Sequence, residues 1–218
     1  MSYSLTIAVC KGRVLDALAR VWRNTGWEWP DTERQLWFPP DHTRPGLVIA
    51  RGQDIPSLVQ RGIASFGIVG RDVLEEQPEA DILEVLDLQF APCRMVLASL
   101  DAKWPDGPAA VATKYPQVTR RYFREKGHPV DIVGLSGSLE LAPHIGLAPY
   151  IVDIVQTGRT LRQHRLKEID TLFHSTARLI ANPAAWRLGR EPQAVYERLQ
   201  QVVSIDDSTD LTASGGYR

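Results

Sequence analysis

Tyr150-Ile151-Val152-Asp153-Ile154-Val155-Gln156-Thr157-Gly158-Arg159-Thr160-Leu161 is the stretch from which the fold is read. A short run of apolar and β-favouring residues carries a single acid, Asp153, and enters a Thr-Gly-Arg-Thr turn. A run of that length, closed by a glycine turn with a helix start behind it, reads as a buried strand of an α/β sheet. Backbone N–H groups leave such a turn together, Gly158 lets an anion approach the main chain, and Thr157 and Thr160 add hydroxyl donors. That is the chemistry of a terminal phosphate site. Asp153, just upstream, suits a ribose diol, because one carboxylate can accept from two neighbouring hydroxyls. Ordinary capping by threonine beside a turn glycine explains the same letters without a ligand.

Working outward, the same alternation fills the chain. Leu5-Thr6-Ile7-Ala8-Val9, Leu47-Val48-Ile49-Ala50 and Phe66-Gly67-Ile68-Val69-Gly70 read as buried strands. Ile82 to Leu88, Cys93 to Ala98, Ala109 to Ala112 and Val130 to Val133 follow as further strands, and Gln35 to Phe38 as an edge strand. Ile169 to Phe173 and Arg178 to Ala181 look like returning strands. Helices are expected from Val14 to near Gly26, from Asp54 (as N-cap) to Gly62, from Gln117 to Lys126 and from Pro192 to Val203. Asp206 to Arg218 reads as a loose tail. Strand–helix repetition predicts mostly parallel sheets with flanking helices. The preferred division is lobe I over 1–90 plus 176–204, lobe II over 91–175, and a flexible tail over 205–218. The hinge is read through Phe90-Ala91-Pro92 and near Ser175-Thr176, with ligand in a cleft between the lobes. A single doubly wound domain accommodates the same order, with ligand at the carboxyl ends of the strands.

Composition narrows the class. The chain has 218 residues, 44% hydrophobic and 23% charged, which excludes a mostly disordered polypeptide. With 25 Lys+Arg against 26 Asp+Glu, it lacks the basic excess of a nucleic-acid binder. No apolar run approaches the roughly 20 residues that span a bilayer, and nothing resembles a leader, so a cytoplasmic location is expected. Two cysteines, Cys10 and Cys93, form no zinc or redox pair, and the five histidines show no ligand spacing. No side-chain metal cage is expected. Neither a Walker A pattern nor G-x-G-x-x-G occurs.

Three further strand ends carry cations: Lys11-Gly12-Arg13, Arg51-Gly52-Gln53-Asp54 and Gly70-Arg71-Asp72. Each alone is compatible with a solvated loop; together they point to a polyanionic ligand at one rim. Ser136-Gly137-Ser138-Leu139-Glu140 is another small-residue loop before a helix start, equally a cap or a ligand contact.

These segments, with Ala112-Thr113-Lys114-Tyr115-Pro116 and Gly137-Ser138-Leu139-Glu140-Leu141-Ala142-Pro143, occur in the order of a known family. From about Leu5 to Val203 the chain resembles the ATP phosphoribosyltransferases, which catalyse the first step of histidine biosynthesis. It is similar to their short form. The resemblance implies a two-lobed fold like that of periplasmic binding proteins, Mg²⁺ as cofactor, and a regulatory partner subunit similar to histidyl-tRNA synthetase. The chain departs from the family pattern in having Cys10 for the usual Pro and Gln156 for the usual Glu. Pro149-Tyr150 also replaces the usual pair. Asp153 is thereby left as the one acid in its loop.

On this resemblance N1 of the ATP adenine attacks C1 of phosphoribosyl pyrophosphate and expels pyrophosphate. Thr157, Gly158, Arg159 and Thr160 are expected at the 5′-phosphate and Asp153 at the ribose. Lys11 and Arg13 are expected at the pyrophosphate or the ATP phosphates, and Arg51 and Asp72 at the nucleotide. Ser138 contacts ligand, and Glu140 positions ribose or magnesium. Mg²⁺ would be carried mainly by pyrophosphate and water. The rival readings are a two-lobed sensor of small anions and a phosphoribosyltransferase for another base.

Overall fold

Glycine at position 67 has a packing reason. A methyl group there would lie 2.7 Å from Ile55, and 2.9 Å from each of Ile180 and Val59. So close an approach of a helix and a neighbouring strand is the mark of a tightly layered α/β sheet. The computed structural model describes residues 5–187 and 190–210, the backbone alone over 202–210. Its two compact units are Met1–Val73 with Glu79–Ala91 and Thr176–Arg218, and Leu74–Pro78 with Pro92–Ser175.

The first unit holds β1 (Thr6–Cys10), α1 (Arg13–Trp22), β2 (Trp37–Phe38), β3 (Gly46–Ala50), α2 (Ile55–Gln60), β4 (Phe66–Gly70), the start of α3 (Arg71–Glu76) and β5 (Leu83–Asp87). The second unit contributes β6 (Cys93–Ser99), β7 (Ala109–Thr113), α4 (Pro116–Glu125), β8 (Val130–Gly134), β9 (Tyr150–Val155), α5 (Arg159–Gln163) and β10 (Lys167–Ser175). The chain then supplies β11 (Ala177–Ala181), α6 (Pro183–Arg187) and α7 (Arg190–Asp210) to the first unit.

The first sheet has the order β2-β3-β1-β4-β11-β5, and the second β10-β6-β9-β7-β8. β1 runs parallel to β3 and β4, and β7 parallel to β8 and β9. The other five pairings are antiparallel, so the sheets are mixed rather than mostly parallel. Two of these five pairings come from β11. It returns to the first sheet from the far end of the chain and inserts between β4 and β5, against the direction of both. A parallel partner would need a crossover connection for which no segment is available there.

Both faces of each sheet are covered. On β6, Val96 and Ala98 join one apolar cluster while Met95 and Leu97 join the other, as the alternation of a strand requires. α1 buries Val14, Leu15, Leu18 and Trp22 at helical spacing. Trp22 packs 5.1 Å from Trp27 and 5.3 Å from Trp29, so Trp22 and Trp27 are core with Trp29 against them, while Trp37 is half exposed.

Three local expectations are corrected. Asp54 stands before α2 but is itself in helical conformation and makes no side-chain cap, because the 3-10 turn Gly52–Asp54 already feeds the helix. α6 was not anticipated; Asn182 Oδ1 accepts from the N–H groups of Ala184 and Ala185 and starts it. The segment expected to loosen after Asp206 stays helical through Asp210, and 211–218 lie outside the described residues.

Gly67→Ala should lower stability by about 1–3 kcal/mol through overpacking. Urea unfolding followed by tryptophan fluorescence measures it; an unchanged midpoint would refute this account of the packing.

Candidate functional site

β7 lies between β8 and β9 with all three parallel, so their carboxyl ends share one edge of the second sheet. Thr113 ends β7 opposite both Gly134 and Val152. The loops beginning at Lys114, at Leu135 and at Gln156 therefore leave from one rim. In α/β sheets this rim is where ligands bind.

Thr113 fastens the first of these loops. Its hydroxyl donates to the Val152 carbonyl at 2.8 Å and accepts from the Tyr115 N–H at 2.9 Å. Lys114, held between, sets its ammonium 3.2 Å from Asp153 Oδ1 and 5.3 Å from the centre of the Tyr115 ring. The Ile154 N–H donates to the same oxygen at 2.8 Å. Burial pushes the Asp153 carboxyl above its ordinary pKa; Lys114 and that N–H pull it back, and the charge of Glu140 pushes it up again. A second acid thus acts on Asp153, from a different loop.

The Gln156–Thr160 turn is braced by arginines. Arg94 is clamped by Glu168, its Nε donating to Oε2 at 3.1 Å with a second close contact through Nη2 and Oε1. Its Nη1 donates to the Gln156 carbonyl at 3.4 Å, and Arg162 Nη1 donates to the Thr157 carbonyl at 3.1 Å. Gly158 is buried in the left-handed conformation with φ of 71°, and a methyl group there would meet Arg162 at 3.1 Å. Only glycine fits both demands. Thr157, Arg159 and Thr160 are exposed. The Arg159 N–H donates to the Thr157 hydroxyl at 3.4 Å, and α5, which follows, has five residues.

The third loop places Ser138 at φ of 51°, a left-handed backbone that costs a non-glycine residue roughly 1–2 kcal/mol. Glu140 follows in the 3-10 turn Leu139–Leu141, with His164 Nε2 4.0 Å from its Oε1.

The first unit has a comparable rim. Cys10 pairs with Ala50 and Val9 with Ile68, so the loops after β1, β3 and β4 emerge together. The Lys11 N–H donates to the Ala50 carbonyl at 2.9 Å. Lys11 and Arg51 are exposed and Arg13 half-buried. Asp72 is buried, 4% exposed, against Gly70. The Cys10 thiol is pushed up to about 11, chiefly by burial and then by the charge of Asp72, with Arg13 and the Gly52 N–H opposing.

Among the described residues no group of three or more His, Cys, Asp and Glu could hold a metal ion, and no helix is long and apolar enough to cross a membrane.

The sequence matches the family model described as HisG: ATP phosphoribosyltransferase over residues 51–203. The chain belongs to the ATP phosphoribosyltransferase family. It is 44% identical to the ATP phosphoribosyltransferase of Bacillus licheniformis, over 94% of this chain and 96% of that one. With that of Halalkalibacterium halodurans it shares 41% identity, over 93% and 98%. The ATP phosphoribosyl transferase (HisG:HisZ) complex from Thermotoga maritima contains a similar fold, with TM-score 0.79 and 34% identity over 92% and 98%. The periplasmic aliphatic sulphonate binding protein SsuA of Escherichia coli, at 15% identity and TM-score 0.61, covers 95% of this chain and 71% of that one. That likeness concerns the two-lobed α/β fold alone.

In this family member the structure gathers Asp153, Glu140, Ser138 and the Thr157–Thr160 turn on the second unit's rim. Lys11, Arg13, Arg51 and Asp72 gather on the first unit's rim. Sequence reading missed Lys114, Arg94 and Arg162. Lys114 lay inside a quoted motif, but its partner is 39 positions away; Arg94 sits in a strand, where a lone cation signals nothing.

Because the raised pKa disfavours the thiolate, the reactive form of Cys10 is scarce until the pH nears 11. Its alkylation by iodoacetamide should be slow at pH 8 and rise about tenfold per pH unit toward pH 10. Mass spectrometry of the Cys10 peptide checks this; a rate already level by pH 9 would contradict it.

Proposed function

We propose that this chain joins N1 of ATP to C1 of phosphoribosyl pyrophosphate and releases pyrophosphate, opening histidine biosynthesis. The observation that carries the reading is the second unit's rim, where Asp153 of β9 is followed closely by an arginine-braced turn centred on Gly158. Thr157, Gly158, Arg159 and Thr160 hold the 5′-phosphate, and Asp153 accepts from the ribose hydroxyls. Ser138 and Glu140 border the sugar. Lys11 and Arg13 bind phosphates of ATP or the departing pyrophosphate; Arg51, and Asp72 from beneath, belong to the nucleotide side.

Adenine N1 brings its own lone pair, so the forming N–C bond requires no general base. The C1–O bond breaks with its electrons going to pyrophosphate, and cations and backbone donors stabilise the charge that develops there. Positioning and electrostatics account for the demand. Magnesium fits as a substrate-borne ion. Among the described residues the rim offers the carboxylates of Asp153 and Glu140 rather than a cage, and Glu140 is the side chain that would hold its water shell. When bound, the ion neutralises pyrophosphate charge. A regulatory subunit similar to histidyl-tRNA synthetase is the proposed partner, supported by the similar Thermotoga maritima chain being part of a HisG:HisZ complex. The cytoplasm is the proposed setting.

Incubation with ATP and phosphoribosyl pyrophosphate, with and without that partner, tests the reading. Absorbance of the phosphoribosylated nucleotide should rise only with both substrates present; its absence even with the partner would refute it. Losing a hydrogen bond to a charged group costs about 1.5–3 kcal/mol, so Thr157→Ala should weaken phosphoribosyl pyrophosphate binding at least about tenfold. ATP binding should change far less. Calorimetry showing equal losses would remove Thr157 from the phosphate site.

A further inference from the structure

We propose that Lys114 is a positioning residue for the sugar. It holds one oxygen of Asp153 so that the other is presented as the acceptor for the ribose hydroxyls. This rests on the assignment of Asp153 to the ribose.

Oδ1 of Asp153 is engaged twice, by the Lys114 ammonium at 3.2 Å and by the Ile154 N–H at 2.8 Å. Among the described residues Oδ2 receives no hydrogen bond. Two donors converging on one oxygen fix the rotation of the carboxylate, and a fixed acceptor recognises a diol better than a rotating one. Lys114 is itself fixed. The Thr113 hydroxyl ties its two neighbours to β9, and the Tyr115 ring, 4% exposed, lies beside its ammonium.

The surrounding charges favour an ammonium here. Glu140 acts on Asp153 from the neighbouring loop, while Val96, opposite it on β6, offers nothing polar. His164 approaches Glu140, not Asp153. Without Lys114, the Ile154 N–H alone would hold Oδ1, and the carboxylate would rotate more freely. The diol would then lose its aligned partner.

Calorimetric titration of the full chain with ribose 5-phosphate and with 2-deoxyribose 5-phosphate tests the inference. Lys114→Gln should weaken ribose 5-phosphate binding about tenfold, the value of one charge-assisted hydrogen bond, and the deoxy sugar far less. Asp153→Asn should have the same selective effect, and the double variant should lose little more than Asp153→Asn alone. Lys114→Arg, which keeps the charge, should recover part of the preference and serves the same comparison if Lys114→Gln fails to fold. Equal loss on both sugars would make Lys114 a direct phosphate ligand, and no loss a merely structural pair; either overturns the inference. Should Asp153→Asn leave ribose 5-phosphate binding unchanged, the assignment of Asp153 itself falls.

Discussion

Thr113 and Gly134, the last residues of β7 and β8, lie beside Val152 of the parallel strand β9, and the chemistry proposed for the second unit depends on that register. Because the strands are parallel, equal register places three loop starts at one edge. Because side chains alternate along a strand, shifting β9 by one residue would turn Asp153 to the other face and withdraw it from Lys114. The Thr113 hydroxyl, bonded to the Val152 carbonyl, guards against such a slip where it would matter most. Burial at both faces supplies the rest of the resistance, since Val152 and Ile151 fill opposite apolar clusters.

An acid in that position is costly, and the surroundings show how the cost is met. Burial raises the pKa of Asp153, and Lys114 and a backbone N–H offset it. The same logic runs through the anion turn. Arg94 and Arg162 donate to its carbonyls, so two guanidinium charges stand beside the turn proposed for the phosphate. Glu168 holds Arg94 in place from β10. As the proposed phosphate site, the turn would be prepared before a ligand arrives. That suits a transfer in which the nucleophile is already competent and the leaving group is the difficulty.

Helix α4 illustrates a second kind of dependence. Its first turn has no cap from Tyr115; the N–H groups of Gln117 and Val118 donate instead to Glu76, at 2.9 and 3.0 Å. Arg121 on the same helix pairs with Glu75. An acid placed at a helix start is favourable for the dipole and satisfies donors that would otherwise be orphaned. Nothing near Tyr115 in the chain announces it.

Short apolar runs, glycine turns and prolines were enough to locate nearly every strand and the amphipathic helices, because burial and backbone dihedrals are local demands written in local letters. The Asp153 to Thr160 segment was legible for the same reason: both its acid and its turn lie within one strand–turn unit. Strand direction was not legible, since β11 pairs against β4 and β5 by returning across about ninety residues, and apolar periodicity is the same for either direction. Nor were Lys114 beside Asp153, Glu140 as the second acid, or Arg94 behind Gln156. Coulomb and hydrogen-bond energies depend on distance in space, and separations of 39, 13 and 62 positions along the chain say nothing of it. The order of residues alone marked the segment proposed for a phosphorylated sugar; folding, which sets distances in space, fixed which charges stand beside it.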